Sequence, residues 1–102
     1  MARSAKRISP IPPGETLRED FVVPLGMTVH RLALELHVPV TRIHEVVKGK
    51  RSIKADTALR LARYFGTTPQ FWMNFQANND LELAGDAAGA EIEIRVRPYR
   101  AA

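Results

Sequence analysis

Between residues 28 and 51, TVHRLALELHVPVTRIHEVVKGKR, apolar positions recur with a helical period in two short runs. Leu32, Ala33 and Leu36 form the first stripe; Ile43, Val46 and Val47 form the second, with Val38 between them. Periodicity of this kind predicts two short amphipathic helices joined by three or four turn residues. Thr28 is a good N-cap for the first of them. The turn centres on His37, where the geometry asks for a left-handed residue, and histidine is one of the non-glycine types that tolerate it. Pro39 then starts the next helix where its missing N–H costs nothing, Gly49 closes it, and Lys50–Arg51–Ser52 form the following loop.

Three more helices flank this pair. Gly14 precedes Glu15–Val23, which sets Leu17, Phe21 and Val22 on one side; Glu15, Glu19 and Asp20 suit its early turns, and Pro24 and Gly26 end it. Ala58, Leu61, Ala62 and Phe65 mark a helix over about Ala55–Phe65, with Leu59 flanking and Gly66 as its C-cap. Thr68–Pro69 reads as an N-cap followed by a proline at the first helical position of a fifth helix, carrying Phe71, Trp72, Phe75 and Leu81. The expectation is a compact all-α domain of five helices over residues 14–80. An N-terminal arm, 1–13, holds Pro10, Pro12 and Pro13 beside Arg3, Lys6 and Arg7 and reads as flexible or polyproline-like. A C-terminal extension occupies 81–102. Within it, Glu91–Arg97 alternates strictly between Ile92, Ile94 and Val96 and charged residues, the period of a strand. Such a strand would need a partner, most simply its mate in a dimer. A helix continuing through the Ala-rich 84–90 is the competing reading, and the strand is favoured.

Charge sharpens the picture more than composition does. With 102 residues the chain suits one modest core, and 45% hydrophobic with 25% charged residues is ordinary for a globular protein. The net charge of +4 hides a segregation: residues 41–63 hold seven bases and two acids, whereas 64–94 hold five acids and no base. The basic run coincides with the second helix of the motif, and a cationic face on such a helix points to nucleic acid. Other classes are disfavoured. There is no cysteine for a disulfide or thiolate metal site, and the apolar stretches are too short to span a bilayer. The N-terminus lacks a secretory signal, so a cytoplasmic location is expected. His30, His37 and His44 are spaced by seven but fall on different elements with no carboxylate at ligand spacing, so no metal or cofactor is expected. Tyr64, Phe65, Phe71, Trp72 and Phe75 have the spacing of core packing rather than of a base-stacking platform. No Gly-rich phosphate loop or nucleophile–base pair suggests an enzyme.

From Thr28 to Gly66 the chain resembles the lambda-repressor-like, or XRE, helix-turn-helix domain. The matching residues are Leu32–Ala33, Leu36, Val38, Ile43, Val46, Lys48–Gly49–Lys50–Arg51 and Asp56 to Ala62. PPGETLREDFVVPLGMT (12–28), ADTALRLARYFGTTPQFWMNFQ (55–76) and NDLELA (79–84) are similar to HigA-type antitoxins, also known as the VapI or addiction-module antidote family. The resemblance implies a five-helix lambda-repressor-like fold and a dimer that represses its own operon by binding double-stranded operator DNA. It also implies a second partner, a small basic mRNA interferase of the HigB/RelE type. An orphan XRE-family regulator without a toxin is the alternative. Carried over by position, the base-reading residues are Val40, Thr41, His44 and Glu45. Many relatives of the broader class carry Gln at the place of Val29 or Val40; with valine there, Val40 and the Thr41 methyl would meet thymine methyls, and Thr41 and His44 would supply hydrogen bonds. Phosphate contacts are expected from Thr28, His30 and Arg31 at the start of the motif's first helix, and from Arg42, Lys48, Lys50 and Arg51.

Overall fold

A computed structural model describes residues 11–100. Helix α1 opens at Pro13 as Pro13–Leu17 and continues into a wider π turn, Arg18–Val22. It is followed by α2 (Val29–Leu36), α3 (Val40–Val47), α4 (Ala55–Phe65) and α5 (Pro69–Arg95). The first helix thus starts one residue inside the expected arm and two before the expected Glu15; Pro13 is already buried. The remainder of that arm, residues 1–10, lies outside the described residues.

The π turn has a packing reason. In a regular helix Leu17 and Phe21 would share a face and Val22 would turn away. Widening the turn buries Leu17 and Val22 together and still leaves Phe21 against the core. Its ring lies 4.9 Å, centroid to centroid, from both Phe65 and Trp72. Trp72 is fully buried, and its indole N–H donates to Thr67 Oγ1 at 2.8 Å. The core beneath the motif consists of Leu17, Leu32, Leu36, Ile43, Val46, Ile53 and Leu61, contributed by α1 to α4 and the α3–α4 loop. That loop is pinned from the far side, since Ile53 N–H donates to Gln76 Oε1 of α5 at 2.8 Å.

Gly14 allows α1 to lie backbone to backbone on α3. A Cβ built there would overlap the Val46 carbonyl oxygen and stand 2.7 Å from its carbon. Nothing in the hydrophobic pattern reveals this approach.

The C-terminal extension is helical where a strand was expected. Helix α5 has 27 residues and passes without a break through 84–90 and the Ile/Glu alternation, ending at Arg95. No strand is present among the described residues. A strand over 91–97 would leave its backbone groups without a partner in the chain, whereas the helix satisfies them internally. The alanines at 84, 87, 88 and 90 favour that outcome, and Arg95 lies 3.8 Å from Glu91, one turn earlier. Beyond Asp80 the helix leaves the core: Leu81, Leu83, Ile92 and Ile94 are all at least half exposed. Leu81 is carried by this helix as expected, and its side chain is exposed.

Candidate nucleic-acid interface

The motif is assembled as its turn chemistry requires. Thr28 Oγ1 accepts the Arg31 backbone N–H at 3.0 Å, which closes the first turn of α2. At the other end His37 adopts φ 58° and ψ 47°, the left-handed conformation expected of it. Pro39, extended at φ −60° and ψ 142°, is the residue that launches α3, so the helix proper begins at Val40.

Ile43 and Val46 fasten one side of α3 into the core and so fix what the other side presents. Thr41, His44 and Lys48 are exposed and Glu45 is half exposed. Spaced at i, i+3, i+4 and i+7, the four share one outward face. Val40 is different. It is half buried and packs on the core, so only part of its side chain faces outward.

The expected phosphate-binding residues divide by their partners. Thr28, His30, Lys48 and Lys50 are exposed, and among the described residues neither lysine has an ion-pair partner. Arg31 pairs with Glu35 at 2.8 Å on the surface of α2. Arg51 pairs with Glu45 at 2.7 Å, while the backbone N–H groups of Lys50 and Arg51 donate to the Glu45 carbonyl. One residue of α3 thereby holds the loop that follows it. Glu45 and Arg51, expected in separate roles, are bonded to each other.

Arg42 faces α4. Its Nη1 lies 2.5 Å from Asp56 Oδ2, and the same oxygen accepts from Arg60 Nε at 2.9 Å. Arg60 also reaches back to the turn, donating from Nη1 to the Leu36 carbonyl at 2.8 Å. The bonds donated by Arg42, and then by Arg60, hold the Asp56 carboxyl below its ordinary range. Asp56 and Arg60 were missing from the sequence reading as site residues. Their i, i+4 spacing signals a pair on α4, but nothing in the order of residues announces that Arg42, 14 positions away, joins it. Lys54, also unanticipated, stands at the N-cap position of α4 without a capping hydrogen bond from its side chain and lines a cleft of about 330 Å³ with Arg42, Arg51 and Thr57.

An exposed polar face on a short helix, anchored behind a tight left-handed turn, is the architecture of a DNA-reading module. A helix-turn-helix family model matches residues 17–72, more than half of the chain. Virulence-associated protein I of Dichelobacter nodosus is 53% identical over 74 residues, covering 72% of this chain and 68% of that protein. Antitoxin HigA-1 of Vibrio cholerae is 35% identical over 79 residues, covering 78% and 73%. The solved structure of a HigA-family addiction-module antidote protein from Coxiella burnetii superposes with a TM-score of 0.85 at 46% identity, covering 90% of this chain and all of that one. This chain belongs to the HigA-type family of helix-turn-helix antitoxins. A further HigA-family structure, the Pseudomonas aeruginosa antitoxin HigA with the higBA promoter, has a TM-score of 0.86 at 41% identity over 89% of this chain and 99% of that one.

The likeness to HigA-family structures extends over about nine-tenths of the chain, and the five-helix expectation holds. These relatives carry the names of antitoxins and virulence-associated proteins rather than of enzymes. No helix among the described residues is long and apolar enough to cross a membrane, and no group of three or more His, Cys, Asp or Glu among them is placed to hold a metal.

Proposed function

We propose that this chain is the antitoxin of a type II toxin–antitoxin module, which represses its own operon by binding operator DNA as a dimer and neutralises a HigB/RelE-like mRNA interferase in the cytoplasm. The observation that carries the DNA half is the outward face of α3, where Thr41 and His44 stand exposed over a side sealed by Ile43 and Val46. Thr41, His44, Glu45 and the exposed part of Val40 read base edges. Thr28, His30, Arg31, Lys48, Lys50 and Arg51 hold the backbone. Thr28 can do so while capping α2, because its hydroxyl accepts from Arg31 N–H and keeps its own proton for a phosphate oxygen. The HigA structure solved with its promoter supports this assignment by likeness.

A single module reads few base pairs, so a dimer on a palindrome follows. The segment 81–102 is the natural self-association element. It combines exposed Leu81, Leu83, Ile92, Ile94 and Val96 with acids at 82, 86, 91 and 93 followed by bases at 95, 97 and 100. Two such segments running antiparallel would set the basic end of each, from Arg95 on, against the stretch of its partner that holds Glu82 and Asp86.

The test is fluorescence anisotropy on the DNA upstream of the chain's own gene. Thr41→Ala should cost about 1–3 kcal/mol at one base position and little elsewhere. Arg51→Ala should weaken binding to every duplex and reduce the salt slope by about 0.9. Absence of binding at low ionic strength would refute the repressor. For the toxin half, a small basic protein encoded beside this gene should arrest growth unless this chain is co-expressed; growth without the chain would leave an orphan regulator.

A further inference from the structure

Resting on the DNA-binding reading, we propose that Asp56 is an internal competitor for DNA phosphates: it keeps Arg42 bonded to α4 and off the duplex, and so trims the sequence-independent part of the affinity.

Arg42 lies on the reading helix, inside the most basic stretch of the chain, and by charge alone belongs to the phosphate-binding set. Its surroundings argue otherwise. The side chain is only 28% exposed, against 48% for Arg51 and 65% for Arg31. Its carboxylate partner is itself held in place: Asp56 stands in the first turn of α4, where the helix N-terminus favours an acid. Asp56 Oδ2 also accepts from Arg60, whose other nitrogen is bonded to the Leu36 carbonyl in the turn. To reach a phosphate, Arg42 would have to abandon this network and leave an aspartate facing an approaching polyanion. Lys48, Lys50 and Lys54 have no such tie among the described residues and can neutralise phosphates without breaking any bond.

The consequence lies in specificity. Non-specific affinity rises with each phosphate neutralised, whereas base contacts do not depend on that count. An arginine withheld from the backbone lowers binding to every duplex, so the base-reading face carries a larger share of the total. Asp56 is a positioning residue here, acting on DNA through Arg42.

Salt-dependent binding separates this from a merely structural ion pair, because loss of packing does not change the number of released counterions. Affinities of the full chain, R42A, D56N and the R42A/D56N double variant are measured from 50 to 200 mM potassium chloride, on the upstream duplex and on a scrambled one. R42A should keep the wild-type slope on both. D56N should steepen it by about 0.9, an extra three- to fourfold loss of affinity across that range. The double variant should return to the wild-type slope. A slope made shallower by about 0.9 in R42A, or left unchanged in a folded D56N, overturns the proposal. If D56N does not fold, R42A alone decides in the same way. Wild-type protein that binds neither duplex refutes the DNA-binding reading itself, which is a different failure from binding with an Arg42-dependent slope.

Discussion

Replacing Gly14 by alanine tests whether α1 buttresses the reading helix as closely as described. The new methyl would overlap the Val46 carbonyl oxygen, and it would stand 2.7 Å from Val46 C and 2.9 Å from Val47 Cα, where ordinary contact begins at 3.4 Å. The shortfall at the carbonyl carbon is thus about 0.7 Å, and it is larger at the oxygen. Every obstructing atom is helix backbone, which cannot rotate aside as a side chain would. The only relief is to lift α1 from α3, and that disturbs the helix on which Leu17 and Thr16 are buried.

Overpacking typically costs 1–3 kcal/mol, and a rigid obstacle places this site near 3. Alanine's better helix propensity returns about 1 kcal/mol. The net expectation is a loss of about 2 kcal/mol, or roughly 8–16 °C in melting temperature for a domain of this size. Urea titration followed by circular dichroism measures it, with protein concentration held constant because self-association would shift the midpoint. Propensity alone predicts the opposite sign. A variant as stable as the parent, or more stable, would mean that α1 and α3 do not meet through Gly14.

Two further outcomes follow from particular residues. His37→Gly should stabilise by about 0.5–1 kcal/mol in the same titration, since the left-handed backbone at φ 58° costs histidine more than glycine's extra unfolded freedom; His37→Val should destabilise. Asp56 sets an acid limb. Its carboxyl is held below the ordinary value of 3.8 by Arg42 and then Arg60, so its contribution to stability is complete above that value and is lost as pH falls through the lower folded one. Melting temperatures recorded down the acid range should fall less steeply in D56N than in wild type, and parallel curves would show that the carboxylate does not stabilise the fold.

What was legible in the sequence is what repeats with a period or has a local turn rule. The α2 and α3 stripes, the Thr28 and Thr68 caps, left-handed His37 and the Gly66 C-cap all appear where local chemistry puts them. What was not legible depends on approach between distant segments. The Gly14 contact, the bridge from Gln76 to Ile53 and the tie from Arg42 to Asp56 join residues 14 to 32 positions apart, and none disturbs a hydrophobic period. The strand expectation over 91–97 failed for a related reason. Alternation is evidence for a strand only where one face is buried, and every side chain of that stretch is exposed. With no face to choose, the need to satisfy the backbone decides, and continuation of the helix from the Ala-rich 84–90 as far as Arg95 meets it.

The same limit applies to charge. Counting bases between 41 and 63 points to the side proposed to face DNA but overstates how many of them are free to meet a phosphate. Arg42 and Arg60 share Asp56, and Arg51 is held by Glu45. Both acids of the stretch are therefore already engaged, and each engages a residue that the count had assigned to DNA. The two pairs differ in how easily they open. Arg51 is half exposed and bonded to one carboxylate on the outward side of α3, so on the proposed interface a phosphate can replace Glu45 and leave that carboxylate to accept from a base amino group. Arg42 is mostly enclosed, and its release would leave the exposed Asp56 carboxylate with Arg60 as its one remaining ion-pair partner among the described residues. An ion pair that opens at the groove converts charge into base recognition; one that stays shut removes charge from the interface. The salt slope of the whole chain should accordingly be smaller than its cationic residues suggest, and Arg31 and Arg51, not Arg42, should account for the arginine share of it.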